Sequence, residues 1–376
     1  MKFLRFTGIA IGSSACIASV HAQSNLTLYG TIDTGVAYVH NSGGVSSQWQ
    51  TNAGGLYGNS WGMTGHEDLG GGMGALFKLE SNFNVNDGTL ANNGRMFGGK
   101  SYVGLTSDRL GSVLLGRQND PLAMLLSGMT GNTFSGFFAP PGDFDNYNGS
   151  MNFDNALTWI SPNWSGVTVQ TMYSVGGVAG AVGSGQSYSA AAAYSRNRLN
   201  LSIGFLHVDN GSARVGQRGE STADSVFRSA VNSAYASAHD IDIFRVAGNY
   251  LVGPVTLGTA YSLSEYRPDA ASAYSNTEQY FNGSMFAAWR VTPALYAIAG
   301  YNFTKTSGDS AAKYHQFNLG GDYSLSKSTV VYAQAAYQHA SGTNGLGAAQ
   351  AVIGSNDINS NSRSQAMIDI GLRHLF

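Results

Sequence analysis

The chain has 376 residues, with 20 Lys and Arg against 22 Asp and Glu, and only 11 % of its positions are charged, where a typical soluble domain has roughly 25 %. The 43 % of hydrophobic residues include no stretch in the mature chain that could cross a bilayer as a helix, which takes about 20 apolar residues, and no cluster of Lys and Arg that would read as a nucleic-acid surface. What remains is a chain with a large β core, or a wall that meets lipid through alternate residues, and the scarcity of proline, seven in all, suits backbone donors that enter ladders.

Residues 1–22 read as a secretory signal, leaving 23–376 as one domain. Lys2 and Arg5 open it, residues 6–20 are apolar, and Val20-His21-Ala22 places small residues at a cleavage site before Gln23. Ser13-Ser14-Ala15-Cys16 is a poor lipoprotein site, because the third residue before the cysteine should be apolar. Cys16 is the only cysteine, so the mature chain has no disulfide and no thiolate metal site. Loss of Lys2 and Arg5 takes the formal charge from −2 to −4.

From residue 25 the sequence alternates. In a first strand over 25–40, Leu26, Leu28, Ile32, Val36 and Tyr38 share one face, and Thr27, Tyr29, Thr31 and Asp33 share the other. Seven tight turns follow near 69–72, 107–111, 162–166, 196–198, 252–254, 291–293 and 326–328. Between them lie eight longer connections near 41–58, 84–94, 119–153, 176–187, 209–239, 266–277, 305–314 and 339–363. These connections join sixteen strands, with both ends and every short turn on one side. That is the layout of an all-β, antiparallel outer-membrane barrel, with short periplasmic turns and long outer loops. An open edge has no water to bond in hydrocarbon, so strands 25–40 and 363–376 are predicted neighbours.

Sixteen strands enclose a lumen too wide for side chains to fill. The long third loop, 119–153, carries Leu122, Met124, Leu125, Leu126, Phe134, Phe137 and Phe138. It is too apolar to hang in water and is expected to fold into the lumen, with Pro121-Leu122-Ala123-Met124 opening a helical turn and Asp120, Asp143 and Asp145 in or near the channel. The alternative is a surface loop packed on a partner subunit. By parity Lys78, Arg245 and Arg290 point inward. Arg117 shares its parity with Val113 and Leu115 and should face away from the lumen, in an ion pair across a subunit contact. Trp61, Trp159, Trp289, Tyr102 and Tyr250 are placed on outer faces near strand ends, where amphipathic rings meet the membrane boundary. At the C-terminus Ala366, Ile368, Ile370, Leu372 and Phe376 share an outer face, opposite Gln365, Asp369, Gly371 and Arg373.

Catalytic patterns are sparse. His207 and Asp209 share a strand face and form the best dyad, but such a pair on a polar rim is ordinarily solvated. No Gly-x-Ser-x-Gly, His-Glu-x-x-His or Gly-x-x-x-x-Gly-Lys motif occurs, and no cofactor is called for. The outer loops, rich in Ser, Asn and Gly, leave an adhesin or a substrate-specific channel as alternatives to a general pore.

Short motifs in order along the chain resemble the general-diffusion porins of Gram-negative outer membranes, a trimeric sixteen-stranded family. They are Leu26-Thr27-Leu28-Tyr29-Gly30, Gly65-His66-Glu67-Asp68-Leu69-Gly70, Tyr102-Val103-Gly104-Leu105, Leu115-Gly116-Arg117-Gln118, Asp154-Asn155-Ala156-Leu157 and Gly371-Leu372-Arg373-His374-Leu375-Phe376. The resemblance implies a homotrimer in outer-membrane lipid, passing small solutes and ions, with Phe376 in a C-terminal strand read by the barrel-assembly machinery. It also implies loop carboxylates facing wall arginines. Here those wall positions hold Ser60, Asn152 (two before Asp154, a further wall residue) and Gly99 or Lys100. Fewer wall bases and a mature charge of −4 predict weak selectivity that leans towards cations.

Overall fold

The computed structural model describes residues 25–181, 183–210 and 222–376; the signal segment 1–22 lies outside them. Nineteen strands are β1 (Asn25–Ser42), β2 (Val45–Ala53), β3 (Ser60–Gly70), β4 (Met73–Asn82), β5 (Lys100–Ser107), β6 (Gly111–Gln118), β7 (Phe153–Ile160), β8 (Val167–Ser174), β9 (Ser187–Arg196), β10 (Leu199–Asp209), β11 (Asp240–Val252), β12 (Val255–Arg267), β13 (Glu278–Arg290), β14 (Leu295–Ser307), β15 (Lys313–Ser324), β16 (Thr329–Ser341), β17 (Thr343–Asn344), β18 (Gly347–Ala348) and β19 (Ser364–Leu375). All but the small β17–β18 hairpin join one antiparallel sheet. Because β2 and β3 follow one another along the same edge of β1, the seventeen strands make sixteen staves.

The sheet closes where the two ends meet. β1 pairs with β19 from Thr31 opposite Leu375 to His40 opposite Ala366. Beyond that ladder Gly30 and Phe376 exchange both backbone bonds, at 2.9 and 3.1 Å. No stave keeps a free edge, as a wall in hydrocarbon requires. The seven short turns fall where the sequence places them, and positive φ at Gly70, Gly71, Asn197 and Gly253 makes several of them tight.

Alternation sorts the side chains. Leu28, Val36, Val103, Leu105, Leu201, Ile203, Leu319 and Ile370 are exposed on the outside, while Asp33, Ser202, Arg245, Asn302 and Gln316 are buried on the inside. This apolar exterior is the lipid-facing pattern of a barrel. Trp289 and Tyr250 are exposed on the outer surface near strand ends, as expected. Tyr102 is not: Val103 and Leu105 take the outer face of β5, so Tyr102 and Lys100 turn inward.

One predicted loop is mostly strand. The 41–58 connection turns tightly at Asn41, Gly43 and Gly44, all with positive φ, and β2 then pairs with β1 from Val45 to Ala53. Its alternation continues β1 outwards, and Trp49 packs on Tyr38 at 5.1 Å between centroids. Only residues 54–59 leave the ladder. They dip inward, where the Asp33 carboxylate accepts from Leu56 N (2.9 Å) and Tyr57 N (2.8 Å).

At the seam, the Phe376 ring occupies the space above Gly30, where a Cβ would lie 2.3 Å from the ring. Phe376→Ala should lower barrel stability by about 1–2 kcal/mol, the worth of a partly buried aromatic contact. Denaturant unfolding in detergent, with the folded and unfolded forms resolved on unboiled gels, measures it; an unchanged midpoint would remove the ring from the account of closure.

Candidate functional site

Inward-facing residues from β8 to β16 are mainly small or amide-bearing, and that composition receives the loops. The third loop begins with a short helix, Pro121–Leu126, capped by Asp120, which accepts from Leu122 N (2.7 Å) and Ala123 N (3.2 Å). Leu122 and Leu126 are buried as the helix rests on β9, β10 and β11. Further along, the Phe138 and Phe134 rings sit over Gly300 and Gly320, where a Cβ would meet them at 2.7 and 2.3 Å. Wall amides take the loop backbone: Asn302 Nδ2 donates to Phe138 O at 2.8 Å and Gln316 Nε2 to Phe137 O at 2.6 Å. The Ser135 hydroxyl donates to Gln334 at 2.5 Å. Segment 119–152 thus crosses the inner wall from β9 to β16.

Two further loops join it, and sequence reasoning missed both. Val226, Val231, Tyr235 and Ala238 from the 209–239 connection pack with Leu122, Phe144 and Met151 of the third loop, and with Tyr266, Tyr280 and Tyr314 of the wall. Ala351, Val352 and Ile353 from the last connection are buried too. Gln338 clamps Val352 from both sides, donating to its carbonyl at 2.7 Å and accepting from its N–H at 2.8 Å. Gly142 N donates to Gly354 O at 2.8 Å, tying the last loop to the third. The signal available was the apolar run Ala351-Val352-Ile353 inside a polar loop.

The three loop carboxylates are spent inside this plug. Asp120 caps the helix and accepts from Asn146 Nδ2 at 2.7 Å. Asp143 accepts from Asn148 N (2.8 Å) and Ser150 Oγ (2.5 Å). Asp145 accepts from Tyr147 N (3.1 Å) and from Ser262 Oγ on β12. All three are buried, and burial reinforced by the neighbouring Asp145 pushes the Asp143 carboxyl up to about 7. They hold the loop's shape and do not present a carboxylate row to open water. Arg245 is under the same loop: its Nη1 donates to Asn146 O at 3.1 Å and its guanidinium lies 4.7 Å from the Tyr147 ring centroid. It is a buried anchor, whereas parity alone placed it in the channel.

Charged inward side chains gather on the other side, along β4 and β5. Lys78, Lys100 and Glu80 face inward with side chains 26, 21 and 12 % exposed. Glu80, which the sequence reading passed over, lies 3.4 Å from Lys78 and 3.2 Å from Lys100 and accepts from the Tyr29 hydroxyl at 2.9 Å. Lys78 also sits 4.8 Å above the Tyr29 ring centroid. Ser60 opens β3, opposite Thr31 and Asn82 and half-buried. Towards the short-turn end, Arg290 is exposed, 5.8 Å from the Tyr296 ring. Arg373 and Asp322 share its inward parity.

At the root of the third loop a bulge shifts the β6–β7 register between Gly116 and Gln118; on the β5 side Arg117 stays opposite Ser101, on the parity of Val113 and Leu115. Its Nε donates to Gly98 O at 2.8 Å, Nη1 meets Asp154 at 2.7 Å, and Nη2 meets Asp224. Arg95 completes the network, 2.8 Å from Asp224 and 3.4 Å from Asp154. Arg117 therefore finds its carboxylates in its own chain, and no partner across a subunit contact is needed to balance it. Asn152 is buried in the same knot, accepting from Asn119 Nδ2 at 2.9 Å. It and Asp154 belong to the loop's root.

His207 and Asp209 lie on the outside of β10, alternating with the inward Leu206 and Val208. His207 Nδ1 is 2.6 Å from Asp242 and Nε2 is 3.2 Å from Asp209. Arg267 pairs with Asp240 and Asp242. His207, Asp240 and Asp242 could bring three ligand atoms within 4.8 Å, but Arg267 already neutralises both aspartates. The cluster is an ion-pair network on the outer rim.

Known proteins match this geometry. The sequence profile of the Gram-negative porin family matches residues 9–343. An outer membrane porin protein of Bordetella pertussis is 28 % identical over 360 residues, covering 85 % of this chain and 90 % of its own length. Outer membrane porin protein 32 of Delftia acidovorans is 28 % identical over 379 residues, covering 98 and 99 %. Among solved structures, an anion-selective porin from Comamonas acidovorans superposes with a TM-score of 0.74 at 23 % identity, covering 94 % of this chain and 100 % of its own.

Removing Arg117 tests the knot. Arg117→Ala leaves Asp224 buried beside a single remaining base and should cost about 3–5 kcal/mol, the usual penalty for breaking a buried pair. Limited proteolysis of the detergent-solubilised protein should then cut near residues 222–226, where the parent resists; equal resistance would contradict the assignment.

Proposed function

The chain belongs to the Gram-negative porin family, and from that membership and the geometry above we propose that its water path runs along the β1–β5 side of a lumen that three loops have half filled. The protein is an outer-membrane porin: a water-filled channel through which ions and small hydrophilic solutes diffuse down their gradients across the Gram-negative outer membrane. The third loop forms the constriction, backed by segments 222–238 and 349–354. Lys78, Glu80 and Lys100 face it as the charged wall, with Ser60 beside them. No step of covalent chemistry is assigned, and the outward position of the His207–Asp209 pair supports a channel over an enzyme.

The observation that carries this reading is the difference in burial. The loop carboxylates are sequestered, whereas Lys78, Lys100, Arg290 and Arg373 touch solvent on inward faces against Glu80 and Asp322. Rings of fixed charge select counter-ions, so the pore favours anions weakly. The lean towards cations expected from the sequence rested on fewer wall bases and a mature charge of −4; burial of Asp120, Asp143 and Asp145 takes those carboxylates out of the balance and supports the opposite lean.

We also infer a homotrimer, supported by a Vibrio cholerae outer-membrane neighbour described in a trimer form. Phe376, exposed at the end of β19, is the natural handle for the assembly machinery. Planar-bilayer recording tests the reading: insertions should appear as groups of three equal steps, and a salt gradient should give a reversal potential on the anion side. Lys78→Glu with Lys100→Glu should reverse its sign. Cation preference in the parent would overturn the proposed lining.

A further inference from the structure

The outer surface near the long-loop ends of the strands divides into two arcs of opposite character. On β10 to β12 the outward charges Asp209, Asp240, Asp242 and Arg267, with His207, satisfy one another in the network described above. On β14 to β16 they do not. Lys305 and Lys313 stand directly opposite each other in the ladder, both exposed, and neither forms an ion pair among the described residues. Like charges directly across an antiparallel pair repel. One step along, His315 stands opposite His339. The Tyr301 hydroxyl lies 2.7 Å from His315 Nδ1; when it donates there, Nε2 is left as an N–H donor.

Depth gives the arc its partner. Tyr301 and Phe317, four residues from Lys305 and Lys313 along their strands, have ring centroids 4.9 Å apart on the outer face. Four residues of strand span roughly 13 Å. Outward Leu319 is exposed below these rings, and outward Phe303 and Phe281 continue above them to stand opposite His315 and Lys305, so an aromatic belt at the upper edge of the apolar band reaches the two lysines. The two lysines therefore stand at headgroup height, above an apolar skirt that can take acyl chains.

We propose that Lys305 and Lys313, with His315 and His339, bind the phosphate-bearing headgroup of an outer-leaflet lipid. A phosphate between the lysines removes their mutual repulsion and accepts from the imidazole donors, while its chains lie on Phe317 and Leu319. This rests on the outer-membrane placement and is independent of the pore's ion preference.

Native mass spectrometry of the full-length protein in a mild detergent tests it, with diphosphorylated lipid A, dephosphorylated lipid A and phosphatidylcholine as probes. The parent should retain the diphosphorylated lipid at least roughly tenfold more tightly than either other lipid. Lys305→Gln with Lys313→Gln should abolish that difference, whereas Lys327→Gln, in the turn at the opposite end of β15, should leave it intact. Unchanged single-channel conductance of each variant verifies folding. The proposal is overturned if the parent binds phosphorylated and dephosphorylated lipid alike, if the double variant keeps its preference, or if inorganic phosphate at equal concentration displaces the lipid, which would mark a free-anion site.

Discussion

Inside a bilayer a backbone amide has no water to bond, and every other feature of this protein answers to that constraint. It forces the sheet to close, and the closure sits at β1 and β19, where the chain's two ends share a ladder. It forces short turns on one side and confines irregular backbone to the other side or to the interior. Residues 54–59 show the rule in miniature: where they leave the ladder, the Asp33 carboxylate accepts from Leu56 N and Tyr57 N, and the Asn59 amide bonds both backbone groups of Asp33.

Closure creates a second problem, an interior too wide to be filled by wall side chains. The chain meets it with three infolded loops, and their backbone groups must also be satisfied. The inward amides do this. Gln316, Gln334, Gln338 and Asn302 bind the backbones of residues 137, 139, 55, 352 and 138 in place of water. Glycines at 300 and 320 clear room for phenylalanine rings that would otherwise strike the wall. One side of the barrel thereby acquires a conventional hydrophobic core, and the other keeps the solvent-touching Lys78, Glu80 and Lys100 that the proposed passage uses. Sequestration of Asp120, Asp143 and Asp145 follows from the same packing: these side chains shape turns and caps first, and their burial withdraws them from the channel's electrostatics.

Much of the wall was legible in the sequence because a strand between two solvents repeats every two residues, and Gly, Asn and Pro mark its turns. The sixteen staves, the seven tight turns and the pairing of the ends all follow from that period. Its failures are informative. The 41–58 segment reads as a loop because it is polar, yet Val45 to Ala53 pairs with β1 as a full strand. Tyr102 is placed outward by a parity count one residue off, since Val103 and Leu105 take that face. Arg117 keeps the parity of Val113 and Leu115, but Asp154 and Asp224 of its own chain balance it, a pairing that no period announces. Parity says which way a wall residue points and nothing about what covers it, so Lys78 in the passage and Arg245 beneath the plug looked equivalent. The infolding of Ala351, Val352 and Ile353 has no period at all and depends on contacts between distant loops.

The most direct test of the central claim uses the absence of cysteine from residues 25–376. Single cysteines placed at Lys78, Arg245 and Leu319 sample the passage, the plug and the lipid face of one barrel. A charged, water-soluble thiol reagent added during bilayer recording should cut conductance stepwise in the Lys78→Cys channel and leave the Arg245→Cys and Leu319→Cys channels unchanged. Stepwise block at Leu319→Cys, or none at Lys78→Cys, would contradict the placement of water on the β1–β5 side of a sealed, half-filled barrel.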